Sequence, residues 1–264
     1  MNNSFGEVCN LNKLVMYRPR YIGIVTIVNV IFVYVKVSMR IAAIKRTPFL
    51  EDVKICAVDM LEVGFNNERL MLILLNAIFI ALFMRNVLRN NMLLQFRDRR
   101  EQFCLVLKQC TFGAVILAVI AAATTLVWSL ILTDVPVTNW LSSESYMQSV
   151  QGIPKNPEVL QLMEALVIFV LTMFLLLLVT GIIIIITSYI ARPVIGIVGV
   201  MLLMTAELGS DHPMIKLLFY NVRLDNVRYY YGGMNYVALV GIPIAIIGIL
   251  LIAGLLFANR KNYY

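Results

Sequence analysis

From Leu162 to Ile190 the chain runs for 29 residues with a single charged side chain, Glu164, near its start. As a helix rising 1.5 Å per residue, that block is about 44 Å long, more than the ~30 Å of hydrocarbon in a bilayer. Lipid is therefore the solvent that this sequence must satisfy. The rest agrees, because 61% of the 264 residues are hydrophobic and 14% charged. Soluble domains average about 45–50% and ~25%.

In chain order six apolar blocks follow the same logic: Tyr21 to Val37, Leu70 to Met84, Phe112 to Leu132, Leu162 to Ile190, Pro193 to Ala206 and Met234 to Ala258. A crossing needs about 20 residues, so the third, fourth and last blocks span comfortably. The first two reach that length with neighbouring residues, as Lys36 and Arg85 can snorkel to the interface. The fifth rises only about 21 Å and stops in or near the far face. The expectation is an all-α integral membrane protein with six transmembrane helices in one domain, residues 1–264. The basic, polar start ahead of Tyr21 reads as the approach to a retained first helix rather than a cleaved signal.

With six crossings and both termini in the cytoplasm, twelve Lys and Arg lie inside against Glu7, Asp98 and Glu101. Ten basic and twelve acidic residues lie outside, so the sides carry +9 and −2. The positive-inside rule selects this orientation, a multi-pass protein of the cell membrane. Outside, Arg40 to Arg69 alternates apolar and charged residues like an amphipathic helix interrupted at Pro48. Thr133 to Gln161, with Pro136, Pro154 and Pro157, reads as an irregular loop.

Much chemistry is excluded. No Gly-rich phosphate loop occurs, so the chain does not hydrolyse nucleotide alone. His212 is the single histidine, which leaves no zinc ligand set among Cys9, Cys56, Cys104 and Cys110, read as free thiols. Nucleic-acid binding is not expected, because no basic run is interleaved with aromatics. No acid sits at mid-span; Glu164, Glu207 and Asp211 fall at span ends, where the last two read as water-facing. The chain is expected not to be an enzyme.

Polar residues inside the spans are few. Asn29 lies eight residues beyond Tyr21, and Asn76 eight before Met84, so antiparallel helices bring both amides to one depth. They suit an interhelical hydrogen bond, with contact to a transported molecule as the alternative. Thr124, Thr125, Thr172 and Thr180 suit bonds to their own helices. Between spans two and three, Phe96, Arg97, Asp98, Arg99, Arg100 and Glu101 combine an aromatic anchor with charges of both signs. A short interfacial helix with Phe96 and Phe103 on one side could dock a cytosolic protein, or the arginines could only fix topology. Tyr229 to Tyr231, before the last span, suit the aromatic belt. Residues 213–220 are too apolar for a solvated loop and too short to span. They suggest a re-entrant helix that turns at Gly209 and Pro213 and gates the outer mouth.

Taken together, the basic segment Lys13 to Arg20, the basic loop ending near Lys108, the short fifth block and the run Tyr229 to Asn235 before a last helix ending Phe257 to Tyr264 resemble the permease subunit of a type-2 ABC exporter, of the small bacterial kind. The likeness covers the whole chain as architecture and contains no signature motif. It implies a connector over residues 1–20, a coupling loop over 85–111 and a re-entrant outer region over 207–233. It also implies pairing with a second permease chain, a copy or a paralogue, and with a dimer of soluble ATPase subunits that hold ATP and Mg. The cargo it implies is amphipathic or hydrophobic, such as an antimicrobial peptide. Arg89, Asn90 and Asn91 stand where many relatives carry an acidic residue and glycine. Two other classes fit the same hydropathy: a peptide-binding immunity or sensor protein, and a scaffold of a membrane complex.

Overall fold

The computed structural model describes residues 19–62, 66–87, 99–140, 142–146, 149, 161–190, 193–209 and 240–260. Seven helices occur among them: α1 (Pro19–Lys45), α2 (Ala57–Glu62), α3 (Asn66–Val87), α4 (Arg99–Leu132), α5 (Leu162–Ile190), α6 (Pro193–Gly209) and α7 (Ile242–Arg260). The remaining pairings in the described residues are two isolated bridges. Three stretches are long and apolar enough to cross a membrane: Arg20–Lys45, Arg100–Leu132 and Leu162–Tyr189. Leu70–Leu82, Val194–Glu207 and Ile242–Ala258 are shorter apolar helices.

The most apolar helix, α5, takes the centre and packs against α3, α4, α6 and α7. Around it the other helices are two-sided. In α1, Val25, Asn29, Val33 and Val37 face inward, while Ile24, Ile27, Ile31, Val35 and Met39 are exposed. Both stripes follow the period of one helical face, and an outer face of this kind is solvated by lipid. Exclusion of water cannot hold such helices together, because lipid tails are as apolar as leucine. Close approach does so instead. A methyl group at Gly196 would stand 2.9 Å from the Ile184 Cα, and one at Gly254 only 2.5 Å from Cζ of Phe103. Hydrogen at these positions lets α6 reach α5 and α7 reach α4.

Helix α4 reaches further back than the apolar block that starts at Phe112, into the stretch read as a coupling loop over 85–111. Its 34 residues begin at Arg99, where Glu101 in the first turn suits the positive end of the helix dipole. Phe103, Val106, Cys110, Ala114, Leu117 and Ala121 form one buried stripe, so the packing period carries straight through Lys108. Phe103 lies beside Tyr189, with ring centroids 6.3 Å apart, inside the bundle rather than on a docking face.

A second correction concerns the segment after α1. Among the described residues no single amphipathic helix covers 40–69: α1 continues to Lys45, the chain turns through Pro48 and Phe49, Ala57–Glu62 is helical, and α3 begins at Asn66. Ile55, Cys56, Val58, Met60 and Leu61 are buried in the main core instead of resting on a membrane face. The reason is a partner loop. The Lys54 N–H donates to the Glu144 carbonyl (2.8 Å), the Val135 N–H to Ile55 (3.2 Å) and the Ala57 N–H to Val135 (3.0 Å). Residues 54–57 are thereby stitched on one side to 134–135 and on the other to 144–146. Together these segments cap the end of the bundle formed by the close of α4 and the start of α5. The Thr133 to Gln161 connection is thus structural over its described part.

Candidate functional site

Within the bundle, the amides of Asn29 and Asn76 meet. Asn29 Nδ2 donates to Asn76 Oδ1 at 3.2 Å, and Asn76 Nδ2 donates to Asn29 Oδ1 at 3.1 Å. Their second N–H bonds go back to the Val25 and Leu72 carbonyls, both at 2.9 Å. Both residues are fully buried, and every amide N–H is used. Such a pair ties α1 to α3 and leaves no donor for a passing molecule. Two more bonds fix α1: Tyr21 Oη donates to the Phe79 carbonyl (2.9 Å) and Trp128 Nε1 to that of Val30 (3.0 Å). Thr124, Thr125, Thr172 and Thr180 each bond the carbonyl four residues earlier in their own helix.

The cap holds a buried acid that the sequence reading missed. Asp59 is fully buried, yet both carboxylate oxygens are engaged: Oδ1 accepts from Trp140 Nε1 at 2.7 Å and Oδ2 from the Cys56 N–H at 2.8 Å. The second bond is one half of a capping box, with the third helical residue reaching back over the start of α2. Burial pushes the Asp59 carboxyl above its ordinary value, and the donated bonds oppose that rise. Burial likewise drives the Cys56 thiol up to about 12, aided by the nearby carboxylate. Around this centre, Lys45 pairs with Asp134 at 3.0 Å and Lys54 with Glu144 at 2.7 Å. Asp134 Oδ2 also accepts from the Ile55 N–H at 3.2 Å. An acid inside the apolar run from Ala57 to Leu61 was a visible signal, but nothing in the sequence names its partner 81 residues away.

Of the proposed docking cluster, Phe96, Arg97 and Asp98 lie outside the described residues. Arg99 opens α4, and Arg100 and Glu101 are exposed on its first turn. Cys104 and Lys108 are exposed as well, so Arg100, Cys104 and Lys108 mark one face at four-residue spacing. Cys56, Cys104 and Cys110 are free thiols. Of the proposed outer gate, Gly209 ends α6, while Pro213 and the supposed re-entrant helix fall outside the described residues, as do residues 1–18. Glu207, expected to face water, is buried like Met204 one turn before it, while Thr205 and Ala206 are exposed.

Comparison with models of protein families, with curated proteins and with solved structures finds no match to this chain.

Proposed function

We propose that this chain is the membrane-spanning subunit of an ATP-driven exporter, crossing the bilayer six times and working with a second permease chain and two soluble ATPase subunits. The observation that supports it is the reach of α4. Its 34 residues make a rod about 51 Å long, some 20 Å more than the hydrocarbon layer. The surplus lies at the end away from the cap, where the rod shows Arg100, Glu101, Cys104 and Lys108 to solvent and buries Phe103 and Val106. A continuous helix seated on the core transmits force from a docked protein into the bundle, which a flexible loop does not.

In this reading Phe96 sits in a groove of the ATPase, and Arg97, Asp98, Arg99, Arg100 and Glu101 orient it. The cargo is an amphipathic or hydrophobic molecule, with antimicrobial peptides the first class to try. Phe96→Ala tests the docking without changing charge or topology. Truncated interface aromatics commonly cost about 2 kcal/mol, so ATPase co-purification falls some thirty-fold while membrane insertion stays normal. Unchanged binding and transport would move the contact elsewhere, first to Asn10 to Arg20. Absence of any associated ATPase would overturn the exporter reading itself.

A further inference from the structure

The cap-side half of α1 carries two cations that have no anion among the described residues. Arg40 stands seven residues after Val33, three after Val37 and four before Ile44, all buried, so it lies on the face that α1 turns to the bundle. The residue is half-buried, and its Nε is enclosed with no hydrogen-bond partner. Lys36, one turn earlier, lies 5.8 Å from the centre of the Phe32 ring and makes no ion pair. The carboxylates of the cap are engaged elsewhere: Asp134 with Lys45, Glu144 with Lys54, and Asp59 with Trp140 and the Cys56 N–H. Glu51 and Asp52 are exposed and pair with neither cation.

Depth identifies the missing anion. Helices α1 and α4 both run toward the cap, where Lys45 meets Asp134. The Val30 carbonyl accepts from Trp128, four residues before α4 ends, and the Tyr34 and Trp128 rings lie 4.7 Å apart, as in an interfacial aromatic belt. Lys36 and Arg40 lie about 9 and 15 Å beyond Val30 along α1, whereas α4 closes about 6 Å beyond Trp128. Both cations therefore stand at headgroup depth. A half-buried guanidinium without a counter-ion is costly there, and phosphate is the anion that a leaflet supplies. Residues four apart on a helix stand about 6 Å apart, a gap that one phosphodiester bridges, with the guanidinium fork on two oxygens and the ammonium as a point charge. Val35 and Met39, exposed three residues after Phe32 and Lys36, add an apolar strip alongside.

We propose that Lys36 and Arg40 bind the phosphate of an anionic phospholipid in the cap-side leaflet, with its acyl chains along Val35 and Met39. A zwitterionic lipid carries its own ammonium beside the phosphate, so two protein cations favour a headgroup of net negative charge. The site rests on no part of the exporter reading.

The test titrates the full chain, purified in neutral detergent micelles, with phosphatidylglycerol or phosphatidylcholine and reads bound lipid by native mass spectrometry. The wild type is expected to bind phosphatidylglycerol about ten-fold tighter than phosphatidylcholine. Lys36→Gln with Arg40→Gln should bring the two lipids to one affinity. Arg40→Lys keeps the charge but loses the fork, and should weaken phosphatidylglycerol about three-fold. Arg46→Gln removes a charge from the exposed turn just after α1 and should leave that affinity as it was. No preference in the wild type, a preference that survives in the double variant, or an equal loss in Arg46→Gln would overturn the site. Should the double variant fail to fold, Arg40→Lys decides alone, wild-type affinity there overturning the site. Inorganic phosphate in millimolar excess separates the two sources of this chemistry. It is expected to displace no lipid, and full displacement would overturn the lipid assignment in favour of free phosphate.

Discussion

Among the described residues, two buried side-chain pairs, Asn29 with Asn76 and Asp59 with Trp140, differ in depth, charge and partner. Asn29 and Asn76 lie within the apolar layer, are neutral, and satisfy each other with matching amides. Asp59 lies in the cap, is ionisable, and is satisfied by donors of other kinds, an indole and a backbone N–H. Lipid explains the difference. At mid-depth a charge has no water to fall back on, so only self-complementary neutral groups are tolerated there. At the end of the bundle a carboxylate can be buried, provided that both oxygens are bonded.

Trp140→Phe removes a donor from Asp59 and has the largest expected effect. Hydrogen bonds to charged groups are worth about 1.5–3 kcal/mol, so this change should destabilise the cap by about 2 kcal/mol while α3, α5 and α6 keep their protection. Hydrogen exchange of residues 54–62 against the helices measures both. Uniform loss of protection across the bundle would mean that cap and core are one cooperative unit.

Smaller is the pH effect of Asp59, whose carboxyl is raised by burial. Between the ordinary value of 3.8 and the raised folded value, the folded state keeps a proton that the unfolded state has released. Stability of the cap therefore falls as pH rises through that window and levels off above it. Glu144, held below its ordinary value by Lys54, contributes the opposite slope at lower pH. Subtracting the curve of Asp59→Asn from that of the wild type, each by thermal unfolding from pH 4 to 8, isolates the falling component. A difference that is flat, or that rises with pH, would contradict the burial of Asp59.

The same contrast decides what the sequence can disclose. The Asn pair was legible because helices convert residue number into depth, so two positions eight residues from opposite span ends had to be level. Back-bonding by Thr125 and Thr180 was legible for a similar reason, since a helix fixes where the fourth carbonyl lies. Irregular chain provides no such ruler. Neither the stitching of residues 54–57 between 134–135 and 144–146 nor the meeting of Asp59 with Trp140 follows from any period. The length of α4 is hidden in the sequence by the charge of Lys108, although Phe103, Val106 and Cys110 already stand at helical spacing on one buried face.

The amide pair gives the smallest effect and the sharpest reading. Interhelical hydrogen bonds in membranes average about 0.6 kcal/mol by double-mutant cycles, because an amide freed in the bilayer finds other partners. Asn29→Ala should therefore soften thermal unfolding in micelles slightly, and Asn29→Ala with Asn76→Ala should show a coupling energy of about 0.6 kcal/mol. In the double variant no buried amide is left without its mate, so the pair of changes should cost less than the two single ones added together. Asn29→Leu is the discriminating case, since it fills the space but strands the Asn76 amide. If the pair only ties α1 to α3, Asn29→Leu lowers stability and, in the exporter reading, leaves the range of exported molecules as it was. If stability is intact and that range changes, the exporter reading holds and the amides contact its cargo.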